Sequence, residues 1–259
     1  MRNINSLITI LALSFATLSV TACATSGDEY ADEYGDAQSD ATAPGKIDLW
    51  QTNGQWYFHV VSGNGRTLLT SESYTSRTGA LNGVLSVLDN GVDPAQYQVN
   101  QTASGKYNLR LRAGNFEVIA FTQAYSTKAS AQRAIGSCVR ALTTYLDKVE
   151  SNTSGARVEV FGTASGFHFN LHAQNGETVL SSETYTTAAA AWNGAFAIQD
   201  AAKLDGAFAV KTSTDNRFYF TLTAENGQVV GVSQMYTTRE SANAGIASVK
   251  SLLAAMDMI

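Results

Sequence analysis

Few side chains in this chain are of a type and spacing suited to chemistry. His168 and His172 stand four apart and His59 lies far upstream. If the segment around the pair is extended, four residues span roughly 13 Å, too far for both imidazoles to reach one metal ion. Arg110 and Arg112 stand two apart, a spacing that would put both on one side of a strand, where they clamp an anionic group or simply face water. Four Ser/Thr-x-x-Tyr elements supply hydroxyls (Ser71/Tyr74, Thr122/Tyr125, Ser182/Tyr185 and Ser233/Tyr236). A nucleophilic hydroxyl wants a base beside it, and only Tyr125-Ser126-Thr127-Lys128 has a lysine so close. There is no P-loop, nucleophile elbow, zinc-ligand spacing or dinucleotide fingerprint. The expectation is a protein without catalytic residues, metal or cofactor; a hydrolase of unknown substrate is the alternative.

What positions these residues is a repeat. Asn64, Asn115, Asn175 and Asn226 each precede a tyrosine by ten residues, and they stand 51, 60 and 51 residues apart. Each tyrosine is followed by two hydroxyl residues and, at the sixth position on, by Ala80, Ala131, Ala191 or Ala242. One unit of about 50 residues buries too little surface to stand alone, whereas two make a domain of ordinary size. The first and third copies share an offset of 111 with the second and fourth, so a pair has been duplicated. Two domains are expected, 47–149 and 157–259, joined by the polar linker 150–156 (ESNTSGA). A feature present in all four copies is most economically a folding requirement, which leaves the non-recurring residues as functional candidates.

Within each unit the residues eight, six and four before the asparagine are apolar: Trp56, Phe58, Val60; Tyr107, Leu109, Leu111; Phe167, Phe169, Leu171; Phe218, Phe220, Leu222. Alternation of this kind predicts a half-buried strand. A hairpin turn follows, for which Asn and Gly would supply positive φ; in the second copy Gly114 is expected to take that role from Phe116. Short β segments precede and follow, giving a three-stranded meander. The paired hydroxyls then cap a helix, with Thr237-x-x-Glu240 in capping-box form. Its apolar stripe (Ala80, Val84, Val87 in the first copy; Ala131, Ile135, Cys138 in the second) places Cys138 in the core. The fold class is α+β, with two repeats per domain and helices on one face of an antiparallel sheet. The opposite face is then the candidate binding face: Tyr57, His59, Arg110, Arg112, His168, Asn170, His172, Tyr219 and Thr221.

The recurring unit Phe-x-Phe-x-Leu-x-Ala-x-Asn-Gly…Ser-x-x-Tyr followed by two hydroxyls and Asn-Gly resembles the YegP-type tandem-repeat family. It does so most closely over Phe167–Ile198 and Phe218–Val249. The second copy departs most, with Phe116 for the turn glycine and Arg133-Ala134 for the helical Asn-Gly. The resemblance implies an antiparallel sheet with helices on one side, and no activity, substrate or catalytic residue.

Residues 1–22 have the form of an export signal: Leu7–Val20 is apolar but shorter than the ~20 residues a spanning helix needs. Val20-Thr21-Ala22-Cys23 resembles a bacterial lipobox, so Cys23 is the expected lipidation site, anchoring the chain to a cell-envelope membrane. Ala24 after it favours the outer membrane by analogy with enteric bacteria. The acidic stretch to Lys46 (23–46 with the cysteine) is too polar to fold and reads as a tether. Beyond it 15 basic and 16 acidic residues balance, with no basic stripe, so nucleic acid is not an expected partner. The function expected is that of an envelope lipoprotein acting as a binding or structural module through its open sheet face. In the alternative reading that face is buried by self-association.

Overall fold

The computed structural model describes residues 11–12, 43–151 and 155–256. Cys23 and the rest of the expected tether before residue 43 lie outside them. Each repeat is a meander followed by a helix. The first has β2 (Lys46–Thr52), β3 (Gln55–Val61), β4 (Thr67–Ser71) and α1 (Arg77–Asn90). The second has β5 (Tyr97–Gln101), β6 (Tyr107–Arg112), β7 (Val118–Phe121) and α2 (Lys128–Ser151). The third has β8 (Arg157–Thr163), β9 (Gly166–His172), β10 (Thr178–Ser181) and α3 (Ala188–Ala201). The fourth has β11 (Phe208–Thr212), β12 (Phe218–Thr223), β13 (Val229–Val232) and α4 (Arg239–Ala255).

The two meanders of a pair meet through their third strands, antiparallel, with Thr70 opposite Phe121 in one sheet and Ser181 opposite Val232 in the other. This gives two six-stranded orders, β2-β3-β4-β7-β6-β5 and β8-β9-β10-β13-β12-β11. Leu11–Ala12 (β1) adds two residues to the outer edge of β8, opposite Val158 and Arg157. These two residues fall in the expected export signal and meet the unpaired backbone of an edge strand.

The alternation holds. Phe58, Val60, Leu109, Leu111, Phe169, Leu171, Phe220 and Leu222 are buried on the helix side, each aromatic contributing about 1.5–3 kcal/mol. Against them lie the helical stripes, including Val84, Val87, Cys138, Ile198 and Val249. Burial pushes the Cys138 thiol up to about 12, as fits a core residue.

Two boundaries shift. Lys46 is already in β2, and Gly45 lies so close to α2 that a Cβ there would come within 2.3 Å of the Ala141 carbonyl oxygen. The fold thus begins before residue 47. Helix α2 runs to Ser151, so the joint is shorter than 150–156. The two pairs are also not insulated from each other: α1 packs on α3, and one cluster of buried residues runs through both. Trp192 is buried in that cluster and stacks on Phe196 at 5.8 Å.

Candidate functional site

The recurring hydroxyl three residues before each tyrosine closes the strand-to-helix corner. Phe58, Leu109, Phe169 and Phe220 donate their backbone N–H to Ser71, Thr122, Ser182 and Ser233 at 2.9, 3.0, 2.8 and 2.9 Å. Each hydroxyl in turn donates to the next carbonyl, of Glu72, Gln123, Glu183 or Gln234, at 2.7–2.8 Å. These side chains satisfy buried backbone groups that the ladder leaves unpaired. The tyrosines exchange backbone bonds with Trp56, Tyr107, Phe167 and Phe218. Their second following hydroxyl caps the helix: Ser76, Thr127, Thr187 and Thr238 accept from the N–H three residues on at 3.0–3.1 Å. In the fourth copy the cap is Thr238 rather than Thr237, so Glu240 falls one place short of a capping box; Ser241 occupies that position and takes the Thr238 hydroxyl bond instead.

The tyrosine ring fills a slot made by two other residues. Tyr74, Tyr185 and Tyr236 stack on Phe58, Phe169 and Phe220 at 6.1, 6.3 and 6.1 Å. Their hydroxyls sit over Gly83, Gly194 and Gly245, where a Cβ would approach to 2.1, 2.0 and 2.3 Å. The second copy has Leu109 and Ala134 at these places, a smaller partner and a larger floor. Burial holds the Tyr74 and Tyr185 phenols above their ordinary range, with Glu72 and Glu183 adding to it. A phenol so placed packs; it gains nothing toward acting as a base.

The turn asparagines serve through their side chains. Asn64, Asn115, Asn175 and Asn226 accept from the N–H two residues on at 3.0–3.2 Å, while Gly65, Gly176 and Gly227 take the positive φ. In the second copy Phe116 itself adopts φ 68 and Gly114 does not move into that role, contrary to expectation. The Asn115 side-chain bond holds the turn register there, so the strained position stays with Phe116, which is 76% exposed.

On the faces away from the helices, registered rows cross each sheet. In the first, Asp48, His59, Thr70, Phe121, Arg110 and Gln98 stand side by side from β2 to β5. In the second, the matching row is Glu159, Asn170, Ser181, Val232, Thr221 and Ala209. Tyr57, His59 and Arg110 thus share one face, joined by Arg112, whose buried Nε has no hydrogen-bond partner among the described residues. His168, Asn170 and Tyr219 share the other.

Two expected contact residues are not available. His172 is 7% exposed, held by Glu159 Oε2 at 2.9 Å from Nε2, with the Gly176 carbonyl 3.2 Å from Nδ1. Thr221 is 4% exposed, in its row between Val232 and Ala209.

Sequence reasoning also missed two residues, because it looked only along the central strands. Trp50 of β2 stacks on Tyr57 at 5.6 Å and leans on His59 at 4.2 Å. Phe121 of β7, 37% exposed, stands between Thr70 and Arg110. The strand alternation on either side of the central strand carried the signal for both. Burial lowers the His59 imidazole below its ordinary value, against the opposing effect of Asp48. In the second sheet the corresponding ring pair is Phe161 and His168, at 5.7 Å. Among the described residues no group of three His, Cys, Asp or Glu is placed to hold a metal ion, and no helix is long and apolar enough to cross a membrane.

Four segments, 51–98, 103–144, 163–206 and 213–255, match the family described as a domain of unknown function (DUF1508). The UPF0339 protein PA0329 of Pseudomonas aeruginosa is 49% identical over 84 residues, 32% of this chain and 76% of that one. The UPF0339 protein YegP of Escherichia coli O157:H7 is 45% identical over 86 residues, 33% of this chain and 78% of that one. The solution NMR structure of the Escherichia coli protein of unknown function yegP shares 34% identity with a TM-score of 0.37, over 39% of this chain and 88% of that one.

Proposed function

We propose a function from the premise that this chain belongs to the DUF1508 family of domains of unknown function, as four matched repeats show. The protein is a lipid-anchored component of the cell envelope, in the outer membrane, attached through Cys23. It is a non-catalytic module that binds an envelope partner through the uncovered face of its first sheet. One observation carries this reading. The residues peculiar to the first pair of repeats gather on that face, as the stacked Trp50, Tyr57 and His59 and the row Phe121–Arg110. The recurring residues are taken up in the core, turns, corners and caps. Aromatic and arginine side chains together are the usual currency of a contact surface.

Hydroxyl-radical footprinting tests the face. Trp50, Tyr57 and Phe121 are oxidised in the dilute purified protein and protected in intact envelopes. Equal oxidation in both would refute the contact surface, and protection that grows with concentration in the purified protein would favour self-association. The anchor is tested separately: Cys23→Ala should leave the membrane fraction, and an unchanged distribution would refute lipid attachment.

A further inference from the structure

The first sheet's face also indicates what kind of molecule it takes. Arg110 is exposed and Arg112 half-buried on the same side of β6. Neither makes an ion pair among the described residues. Neither β6 nor the strands bonded to it, β5 and β7, contains an acidic residue. The nearest acid in sequence, Glu117, takes the Asn115 side-chain bond at 2.9 Å. Two guanidinium groups without a counter-charge, one with a buried and unpartnered Nε, form a cationic subsite for a carboxylate or other oxyanion.

Around that subsite the face is aromatic and rich in amides. Asn108 opposite Asn100 and Gln98 opposite Arg110 offer both donors and acceptors. Phe121 adjoins Arg110, and the Trp50–Tyr57 pair lies on the far side of β4, with Arg110 three strand spacings, roughly 14 Å, from His59. Aromatic faces suit the C–H faces of sugar rings, amides suit hydroxyls, and the arginines suit uronate-type carboxylates. The second sheet provides an internal control. At the places of Arg110, Arg112, Phe121 and Tyr57 it has Thr221, Thr223, Val232 and His168, and so lacks this arginine pair; its own cations, Lys211 opposite Tyr219 and Arg157 opposite His172, stand on the two outer strands instead.

Resting on the reading that this face is the contact surface, we infer that its ligand is an acidic polysaccharide, its carboxylates on Arg110 and Arg112 and its rings along Phe121, Tyr57 and Trp50.

The test is retention of the full-length protein, purified in detergent, on alginate beads, with dextran beads as the neutral glycan and poly-glutamate as a soluble anionic peptide competitor. Alginate retains the protein and dextran does not. Arg110→Ala/Arg112→Ala weakens retention at least tenfold, Trp50→Ala weakens it severalfold, and His168→Ala on the second sheet changes nothing. Should Trp50→Ala melt early, Phe121→Ala, at an exposed position, takes its place. No retention on alginate overturns the inference, as does retention that survives loss of both arginines. Elution by poly-glutamate at matched charge, with the aromatic variants unaffected, overturns it in favour of a protein partner. Footprint protection in envelopes without alginate binding would leave the contact surface standing and remove only the glycan.

Discussion

At Phe116 the backbone takes a left-handed φ that glycine occupies in the other three copies, and a benzyl group stands out in water. Relieving the Cβ strain should outweigh the extra freedom glycine gives the unfolded chain, so Phe116→Gly is expected to stabilise the protein by up to about 1 kcal/mol, read from chemical denaturation. A loss of stability would mean that the ring packs in a way its exposure does not suggest. His59 gives a pH dependence whose sign is fixed. Burial lowers its folded-state pKa, so below the ordinary imidazole range the unfolded chain binds the extra proton. This part of the stability is present above about pH 6.5 and is lost as pH falls from there through the lower folded-state pKa. Denaturation midpoints of His59→Gln against the parent, taken from pH 7.5 to 5, should show the variant with the shallower loss. Both residues were visible in the sequence, but neither conformation nor burial was: the same Gly-Asn-Phe triplet is compatible with either residue taking the strain.

Between residue and fold stands the corner that ends each meander, and here the sequence was most informative. Strand alternation, hydroxyl caps and the helical stripe follow from periods of 2 and 3.6 that repeat in all four copies. The roles inside the corner were less legible, because they depend on which atoms meet across the sheet. That Ser182 bonds the Phe169 N–H thirteen residues away, or that Tyr185 needs both Phe169 and Gly194, leaves no local pattern. Ser182→Ala strands a half-buried amide and should cost about 1–3 kcal/mol. Gly194→Ala should be destabilising because the Tyr185 hydroxyl sits 2.0 Å from the new methyl group. Adding Phe169→Leu, which reproduces the Leu109–Ala134 pairing of the second copy, should recover part of that loss. Thermal melts of the two singles and the double decide it. Simple additivity would show that ring and floor are independent.

For the whole molecule, recurrence separates what folds from what contacts. Two sheets and their helix-covered sides were readable from four copies of one unit; that the meanders of a pair join through their third strands was not. The packing of α1 on α3 was not either, since the helical stripe read in each copy faces that copy's own sheet and says nothing of what lies beyond it. Nor was the full contact surface, because Trp50 and Phe121 reach it from flanking strands whose register appears only when the meanders join. His172 and Thr221 were expected on the second sheet's open face from alternation alone, which fixes the side of a sheet but not how deeply a side chain is buried there. The central claim is that the first sheet's uncovered face, and not the second's, meets the envelope. Photo-crosslinking in living cells tests it most directly, with one photoreactive residue at Tyr57 and, in a separate strain, at the corresponding His168. Adducts from position 57 with few or none from position 168 are the predicted result; equal yields, or adducts from position 168 alone, would contradict it.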